Sequence, residues 1–367
     1  TNQHGVGYYN SVHLYRIEPS KQTNNELPSV GVDEGVTFEG DIKMNSQGYM
    51  YFPTGITEQR GRGRGVWMGG YTSAPSAAGV NLIYYVQIQS LGNAGDFGDL
   101  TKGINWGGAA GASSTRGLHA GGTTPTNLNS IEYITIATTS NSTDFGDLTA
   151  LRGYTQACSN NTRALIGGGR GGSPTASLDS VDYVTIATTG NASDFGDLTV
   201  ARQGGSGLAS ATRGLIMGGR NVPSAPTTFF ASIDRFTIAT AGNAADYGDL
   251  SSGVRAYMGC TSSSTRGIIG GGSISPNRVN NIDYITIATD GNSTDFGDLL
   301  DDREHCGAVS NKIRALFAGG VSPYRNSIEY VTIATTGNAQ DFGDVPDPNG
   351  SYAYASAATS DSHGGLS

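Results

Sequence analysis

The sequence predicts an all-β fold, a β-propeller of seven blades with four strands in each blade. Three observations predict it: a four-residue phrase that recurs about every 50 residues, glycine doublets with the same spacing, and four strand-like segments in each repeat. Repeats of this length with four strands each are typical of propeller blades. The 367 residues are therefore expected to form a single domain.

The recurrent phrase is Asp-Phe-Gly-Asp. Its last aspartate stands at positions 99, 147, 197, 298 and 344, a variant with Tyr in place of Phe ends at 249, and a degraded copy ends at 41. These seven copies predict seven blades. In each clear copy we expect the aspartates to cap a turn and the aromatic ring to fill the space between neighbouring blades. The rings are those of Phe97, Phe145, Phe195, Tyr247, Phe296 and Phe342.

Glycine doublets are the second landmark and begin at positions 69, 121, 168, 218, 271, 319 and 364. They do not open a helix, and no Gly-Lys-Ser/Thr follows them, so close packing of blades near the axis is favoured over a phosphate-binding loop. An arginine stands five residues before each of the first six doublets, and we expect these side chains to pair with acidic residues of the repeat. The six are Arg64, Arg116, Arg163, Arg213, Arg266 and Arg314.

The repeat around residues 154–197 shows the four strands most clearly. Strands a and b are predicted at 154–158 and 163–166, strand c at 181–187 from its period-two alternation, and strand d at the recurrent phrase. Gly190 and Asn191, between strands c and d, suit a tight hairpin.

The two ends of the chain predict how the ring closes. Residues 10–17 match strand c of the last full repeat at 326–333, and residues 351–360 and 363–365 read as strands a and b. Residues 1–42 and 345–367 are therefore expected to combine into one composite closing blade, which hides both sheet edges. Residues 18–36 would be an inserted loop in that blade, either a docking arm or a loop without a partner.

The repeat resembles the kelch repeat. The resemblance rests on a glycine doublet, an acid–tyrosine pair, an aromatic residue and an arginine before the next blade, at Arg152, Arg202 and Arg303, with Phe where kelch repeats usually have Trp. It covers essentially the whole chain and implies the kelch-type propeller. The wording Tyr-x-Thr-Ile-Ala-Thr-Thr-Gly-Asn-x-x-Asp-Phe-Gly-Asp-Leu is also similar to repeats in virion structural and fibre-like proteins of large tailed phages, notably marine ones.

Composition argues against several functions. A net charge of −9 disfavours nucleic acid as a partner, and no apolar run has the length of a membrane helix, so membrane insertion is not expected. Three scattered cysteines indicate free thiols rather than a disulfide framework or a zinc site. The five histidines stand at non-equivalent places in the repeat, which disfavours a copper centre like that of galactose oxidase, a kelch propeller. Neither a metal nor a cofactor is expected.

Candidate binding residues come from comparing the loops of different repeats. The c–d loops are nearly identical, whereas the b–c loops at 71–82, 123–130, 170–180, 220–232, 273–281 and 321–327 differ in length and content. The b–c and d–a loops of a propeller share one face, and variable loops on a rigid scaffold are where recognition tends to occur. The candidates on this face are Tyr71, Trp106, Tyr154, Phe229, Phe230, Arg278, His305, Tyr324 and Arg325. Alternatively, Phe229 and Phe230 simply cover the rim of a blade.

These observations predict a non-enzymatic structural and binding module. Its expected place is the surface of a virion, as a fibre, spike or capsid-decorating protein that recognises a host-surface glycan or another virion protein. A cellular, cytoplasmic kelch-type interaction scaffold and a carbohydrate-active enzyme are the alternatives. The non-repeated acidic cluster of Asp301, Asp302 and Glu304 is the feature that an enzyme would use, and a solvated loop is the expected role of that cluster.

Overall fold

The computed structural model describes residues 5–9, 12–16, 63–72, 78–172, 175–222, 227–274, 276–321, 325–346 and 357–366, with the first two segments and residues 72 and 78 described by their backbone alone. The chain divides into two compact units, Thr1–Thr57 and Glu58–Ser367. In the first unit, β1 (Gly5–Tyr9) pairs antiparallel with β2 (Val12–Arg16). The degraded repeat copy at 38–42 and the inserted loop at 18–36 lie outside the described residues.

The second unit is a β-propeller of six blades, each with strands a, b, c and d in order from the axis outwards. From a to d, blade 1 holds β34 (Ala357–Ser360), β3 (Arg64–Met68), β5 (Ala78–Gln87) and β6 (Gly95–Ile104). Blade 2 holds β7 (Ala109–Ala112), β8 (Arg116–Ala120), β10 (Thr126–Thr135) and β11 (Thr143–Gly153). Blade 3 holds β12 (Gln156–Ser159), β13 (Arg163–Gly167), β16 (Ser180–Thr185) and β17 (Ser193–Asp197).

The remaining three blades repeat this pattern. Blade 4 holds β18 (Ser206–Ala209), β19 (Arg213–Met217), β22 (Ser232–Thr237) and β23 (Ala245–Asp249). Blade 5 holds β24 (Gly259–Ser262), β25 (Arg266–Gly270), β28 (Asn281–Thr286) and β29 (Thr294–Asp298), and blade 6 holds β30 (Gly307–Ser310), β31 (Arg314–Ala318), β32 (Ser327–Thr332) and β33 (Gln340–Asp344).

Two-residue strands decorate the b–c connections: β4 (Tyr71–Thr72), β9 (Thr123–Thr124), β14 (Arg170–Gly171), β15 (Ala176–Ser177), β20 (Arg220–Asn221), β21 (Thr228–Phe229), β26 (Ser273–Ile274) and β27 (Asn277–Arg278). The helical element of the described residues is one short 3-10 turn at Gly364–Leu366. No helix in the described part of the chain has both the length and the apolarity to cross a membrane.

The ring closes with six blades, and the predicted count of seven is not confirmed. The innermost strands contact one another in the closed cycle β7, β12, β18, β24, β30, β34 and back to β7. Closure depends on β34, which pairs with β3 so that Ser360 lies opposite Gly65. Strand a at the C-terminal end is therefore confirmed at 357–360. Its partner differs from the prediction, because the strand beside it is β3 of the first blade.

Residues 363–365 do not form the predicted strand b. Since β3 already occupies the inner sheet position next to β34, the chain turns after Ser360 and forms the 3-10 turn instead. The backbone N–H of Arg64 donates to the Asp361 carboxylate at 2.8 Å, which fixes this turn to the start of β3.

The core consists of six apolar clusters, each between two neighbouring blades. As predicted, the aromatic residue of each recurrent phrase is buried in one of these clusters. The glycine of the phrase is required as well: Gly196 has φ +142°, and a Cβ there would lie 2.6 Å from the carbonyl oxygen of Gly242 in the next blade. The backbone N–H of Asp197 then donates to Asn243 Oδ1 at 3.1 Å. The phrase and the c–d loop are thus two halves of one contact between blades.

The strand-b arginines bind carbonyl groups rather than the predicted acids. Arg163 Nη1 donates to the carbonyls of Ile238 and Ala239 in the next blade, and its guanidinium lies 4.9 Å from the ring centre of Tyr183. In blade 4 an ion pair is present, because Arg213 Nη1 also lies 2.8 Å from the Asp290 carboxylate.

Strand-c acids pair instead with the arginines that precede strand a. These four ion pairs are fully buried: Arg152–Asp182, Arg202–Asp234, Arg255–Asp283 and Arg303–Glu329. Each joins the d–a connection of one blade to strand c of the next. Such buried pairs fix the register of the blades more surely than they add net stability.

Candidate functional site

The mouth of the central channel on the b–c and d–a face carries an unusual backbone conformation. The residue two positions before strand a has φ near +60° in the five blades where it is described: Gly107, Tyr154, Gly204, Tyr257 and His305. Glycine adopts this conformation freely, whereas any other residue loses roughly 1 kcal/mol or more. Three aromatic side chains are therefore held at positions whose backbone favours glycine, and strain of this kind is a reason to look for a function.

Main-chain hydrogen bonds between blades impose that conformation. The N–H of Gly204 donates to Tyr154 O at 3.0 Å, the N–H of Tyr257 to Gly204 O at 2.7 Å, and the N–H of His305 to Tyr257 O at 2.8 Å. The next residue after Tyr154 continues the series, since Thr155 N–H donates to Gly107 O at 3.0 Å. The main chain at these five positions thus forms a hydrogen-bonded series, called here the belt, and the three aromatic side chains extend from it.

The aromatic rings gather into one group, called here the mouth cluster: Tyr71, Trp106, Tyr154, Tyr257 and His305. The rings of Tyr257 and His305 stack with centres 3.9 Å apart, and those of Tyr71 and Trp106 stack at 4.9 Å. Trp106 also lies 5.4 Å from His305 and 6.1 Å from Tyr154, and Tyr154 lies 6.3 Å from Tyr257. Four of the rings thus form a closed cycle about the channel mouth.

A cavity of about 120 Å³ lies along the channel beside this cluster, lined by Tyr154, Tyr257 and His305 at its mouth and by small residues of the innermost strands. Gln156 also lines it; its Nε2 donates to Tyr154 O at 2.8 Å, while its Oε1 has no partner among the described residues. Cys260 and Cys306 complete the wall, and both are free thiols.

The three titratable side chains at the positive-φ positions, Tyr154, Tyr257 and His305, are uncharged at neutral pH. Burial, reinforced by Arg220 and Arg278, lowers the pKa of His305 to about 3. Burial raises the pKa of Tyr257 to about 12 and also raises the pKa of Tyr154, although neighbouring guanidiniums oppose both shifts. The imidazole is therefore uncharged and both phenols keep their protons.

Arginines surround this neutral surface. The Arg170 guanidinium lies 5.0 Å from the ring centre of Tyr154, and that of Arg220 lies 5.2 Å from the ring centre of Tyr257. At these distances a cation–π attraction holds each guanidinium against the cluster. Arg278 pairs with Glu304 at 3.0 Å on the same face.

The structure brings four of the predicted binding residues together: Tyr71, Trp106, Tyr154 and His305. Sequence reasoning missed Tyr257, although a signal was present: Arg-Gly-Tyr154, Arg-Ala-Tyr257 and Arg-Glu-His305 share one pattern, an aromatic residue two positions after a buried arginine.

The other predicted binding residues are not members of the mouth cluster. Phe230 packs 5.6 Å from the guanidinium of Arg202, and Phe229 pairs with Arg220 through β21 and β20. Arg278 and Arg325 are engaged in ion pairs with Glu304 and Asp301. Tyr324 lies outside the described residues.

The opposite end of the channel contains the chain that follows β34. His363 is half-buried there, with Nε2 3.2 Å from Ala112 O and 3.4 Å from Ser159 Oγ. Burial lowers its pKa to about 4. Gly364 and Gly365 fit against the backbone of Ser263 and Ser159, where a Cβ would collide with carbonyl oxygens.

Two further features concern chemistry. Within the described ranges, no group of three or more His, Cys, Asp or Glu side chains is arranged to hold a metal ion. Two members of the acidic cluster are ion-paired, Asp301 with Arg325 at 2.6 Å and Glu304 with Arg278 at 3.0 Å.

No family model matches the chain, and no curated protein matches its sequence.

Proposed function

We propose that the protein is a non-enzymatic recognition module that binds its partner at the mouth cluster. The observation that carries the proposal is the presence of Tyr154, Tyr257 and His305 at positive φ, where glycine would form the same belt without strain. Belt geometry alone does not need these rings. Contact of these three side chains with a bound partner best explains why they stand at these positions.

The contrast between the two faces supports this choice of surface. On the c–d face, the loop asparagines accept hydrogen bonds from the neighbouring blade, as Asn191 Oδ1 does from Asp147 N at 3.0 Å. The near-identity of those loops is therefore explained by packing between blades. The b–c connections differ from blade to blade and surround the aromatic rings, as expected of a recognition surface.

We further propose that this is a kelch-type module on the surface of a virion, a fibre, spike or decorating protein. A host-surface glycan or another virion protein would be the partner. The support is the wording of the repeats and the rigid ring, in which charged and hydrogen-bonded contacts tie every blade to the next. Asp301 and Glu304 are each directed at a different arginine, which favours a binding role over glycoside hydrolysis, because hydrolysis needs two carboxyl groups that flank one glycosidic bond.

Two experiments test the proposal. Quantitative mass spectrometry of purified source particles should find the chain at a fixed copy number, and its absence from particles would refute the virion assignment. Binding to glycan arrays and to isolated virion proteins should be weakened about 10-fold or more by Tyr154→Gly, which keeps the favoured backbone. Thr189→Ala, an exposed change on the c–d face, is the matched control and should leave binding unchanged. Equal effects of the two variants would place recognition elsewhere.

A further inference from the structure

The arginines of the b–c loops are not balanced alike. Arg278 and Arg325 are each neutralised by a carboxylate, Glu304 at 3.0 Å and Asp301 at 2.6 Å. Within the described part of the chain, no carboxylate forms an ion pair with Arg170 or Arg220, whose guanidiniums contact the phenol rings of Tyr154 and Tyr257. In a protein of net charge −9, two guanidiniums without an ion pair in neighbouring blades are a local excess of positive charge, with Glu304 as the acid that also acts on Tyr257.

These two guanidiniums are held in place rather than free in solvent. They occupy the same position in neighbouring blades, the residue after the glycine doublet, at the start of β14 and β20. Each lies over a phenol ring, and the Nε of each is buried without an acceptor among the described residues. Both guanidiniums act on the pKa of both Tyr154 and Tyr257, so the four side chains share one electrostatic environment.

The side chain of Gln203, the main-chain partner of Arg220, makes no hydrogen bond to the described residues. The main chains of Gln203 and Arg220 exchange two hydrogen bonds of 2.9 Å. The Gln203 side chain is fully buried, and neither atom of its amide has a partner among the described residues. A buried amide in this state is costly, and a bound water or other polar group is one arrangement that satisfies it.

We propose, on the basis of the recognition function above, that the mouth cluster binds a saccharide whose ring carries a carboxylate. The carboxylate is held between Arg170 and Arg220, because planar guanidiniums bind carboxylates through paired hydrogen bonds. The sugar ring packs against the edges of the Tyr154 and Tyr257 rings, whose faces are covered by His305, Trp106 and the two guanidiniums. A polyanionic peptide fits less well, since the other two arginines of this face are already neutralised and the positive charge is confined to one point.

The test compares matched probes on the full chain: sialyllactose and oligogalacturonate against lactose and neutral galactan oligomers, with polyglutamate as the acidic peptide. We expect the acidic saccharides to bind at least about 10-fold more tightly than the neutral ones, and less tightly as salt is raised. The double variant Arg170→Gln/Arg220→Gln should abolish this preference. The control Arg325→Gln/Asp301→Asn removes an ion pair without changing the net charge and should change affinity less than about 3-fold.

A lysine variant guards against loss of fold. Arg170→Lys/Arg220→Lys keeps both charges but not the planar donors, so it should retain the salt dependence and lose about 10-fold in affinity for acidic saccharides. Neutral saccharides that bind as well as acidic ones would overturn the inference and leave the recognition function intact. Preferential binding of polyglutamate, or of no probe at all, would also overturn it. The recognition function itself is judged separately, by Tyr154→Gly and by the particle copy number.

Discussion

At the scale of single residues, changes in one blade are matched by changes in its partner. Blade 4 has Arg235 at the place where other blades have the strand-c tyrosine, so Arg213 has no ring to cover. Asp290 of the next blade accepts from both Arg213 at 2.8 Å and Arg235 at 2.9 Å and supplies the missing contact. In blade 2, Asn105 stands at the place of the buried arginine, and Glu132 is satisfied by Thr101 and Ser142 instead.

The positive-φ belt makes a prediction at this scale. Replacing Tyr257 (φ +62°) by Gly should leave the protein more stable than replacing it by Ala, by about 1 kcal/mol, because Ala keeps the strain and Gly removes it. Urea unfolding of both variants measures the difference. Tyr183, in strand c, is the control, and there Ala should be the more stable of the two. If the Ala variant were the more stable of the two at Tyr257 as well as at Tyr183, the belt would carry no strain.

At the scale of elements, the contact between a c–d loop and the preceding blade explains most of the repeated wording. The phrase supplies a buried ring, a glycine with space for no side chain, and a backbone donor, while the loop supplies an asparagine acceptor. The sequence predicted the ring correctly. It did not predict the asparagine acceptor, because a donor and an acceptor roughly 45 residues apart form no local pattern.

Two glycines of this contact should respond differently to substitution. Gly196→Ala should lower the free energy of unfolding by about 2–4 kcal/mol, because its Cβ would lie 2.6 Å from the backbone of Gly242. Gly242→Ala, at a position with nothing within 4 Å, should change it by less than about 0.5 kcal/mol. Denaturant midpoints of the two variants check this, and similar losses would mean that the contact is loose.

At the scale of the whole molecule, the repeat period was sufficient to predict a propeller of four-stranded blades, but not how many blades close the ring. Closure depends on which sheet edge β34 meets, and the repeat pattern contains no information on that choice. The sequence contained one hint: the doublet that begins at Gly364 has Thr359 five residues upstream, where each of the other six doublets has an arginine. The mouth cluster was predictable in part, since loop comparison selected four of its five members, Tyr71, Trp106, Tyr154 and His305, whereas the guanidiniums without an ion pair depended on contacts between distant residues.

Three histidines with lowered pKa values should make the molecule sensitive to acid. The pKa values of His119, His305 and His363 are lowered to about 4, 3 and 4, with burial as the main cause. A base whose folded pKa lies below its unfolded value of about 6.5 stabilises the fold fully above pH 6.5 and loses that contribution as the pH falls towards the folded pKa.

Stability should therefore fall steadily between pH 6.5 and 4, while Asp361, whose pKa burial raises, acts in the opposite direction. Urea titrations at several pH values give the proton uptake on unfolding, and His119→Gln should reduce it by about one proton at pH 5. An unchanged uptake would show that His119 is accessible to protons in the folded state.

Ring closure makes a prediction about the C-terminal end. Removing residues 357–367 should expose the edge of β3, lower the unfolding midpoint and promote association, because an unpaired strand edge recruits other chains. Removing residues 361–367 alone keeps β34 and is the control. This variant should leave the fraction of monomeric protein largely unchanged. Light scattering and thermal unfolding distinguish the two outcomes, and equal behaviour would deny β34 its role as the closing strand.

The pairing of β34 with β3 also sets a timetable for synthesis. Arg64 and Asp361, which are hydrogen-bonded in the finished ring, are separated by 297 residues. At roughly 5–20 residues per second, the ribosome delivers the closing strand about 15–60 s after the strand that it covers. During that interval the ring is open: five blades can be complete, and the first blade lacks strand a, so that the edge of β3 is unpaired. The cell must keep nascent chains apart until the last strand arrives, so the rate of translation and the crowding of polysomes bear directly on the yield of closed rings.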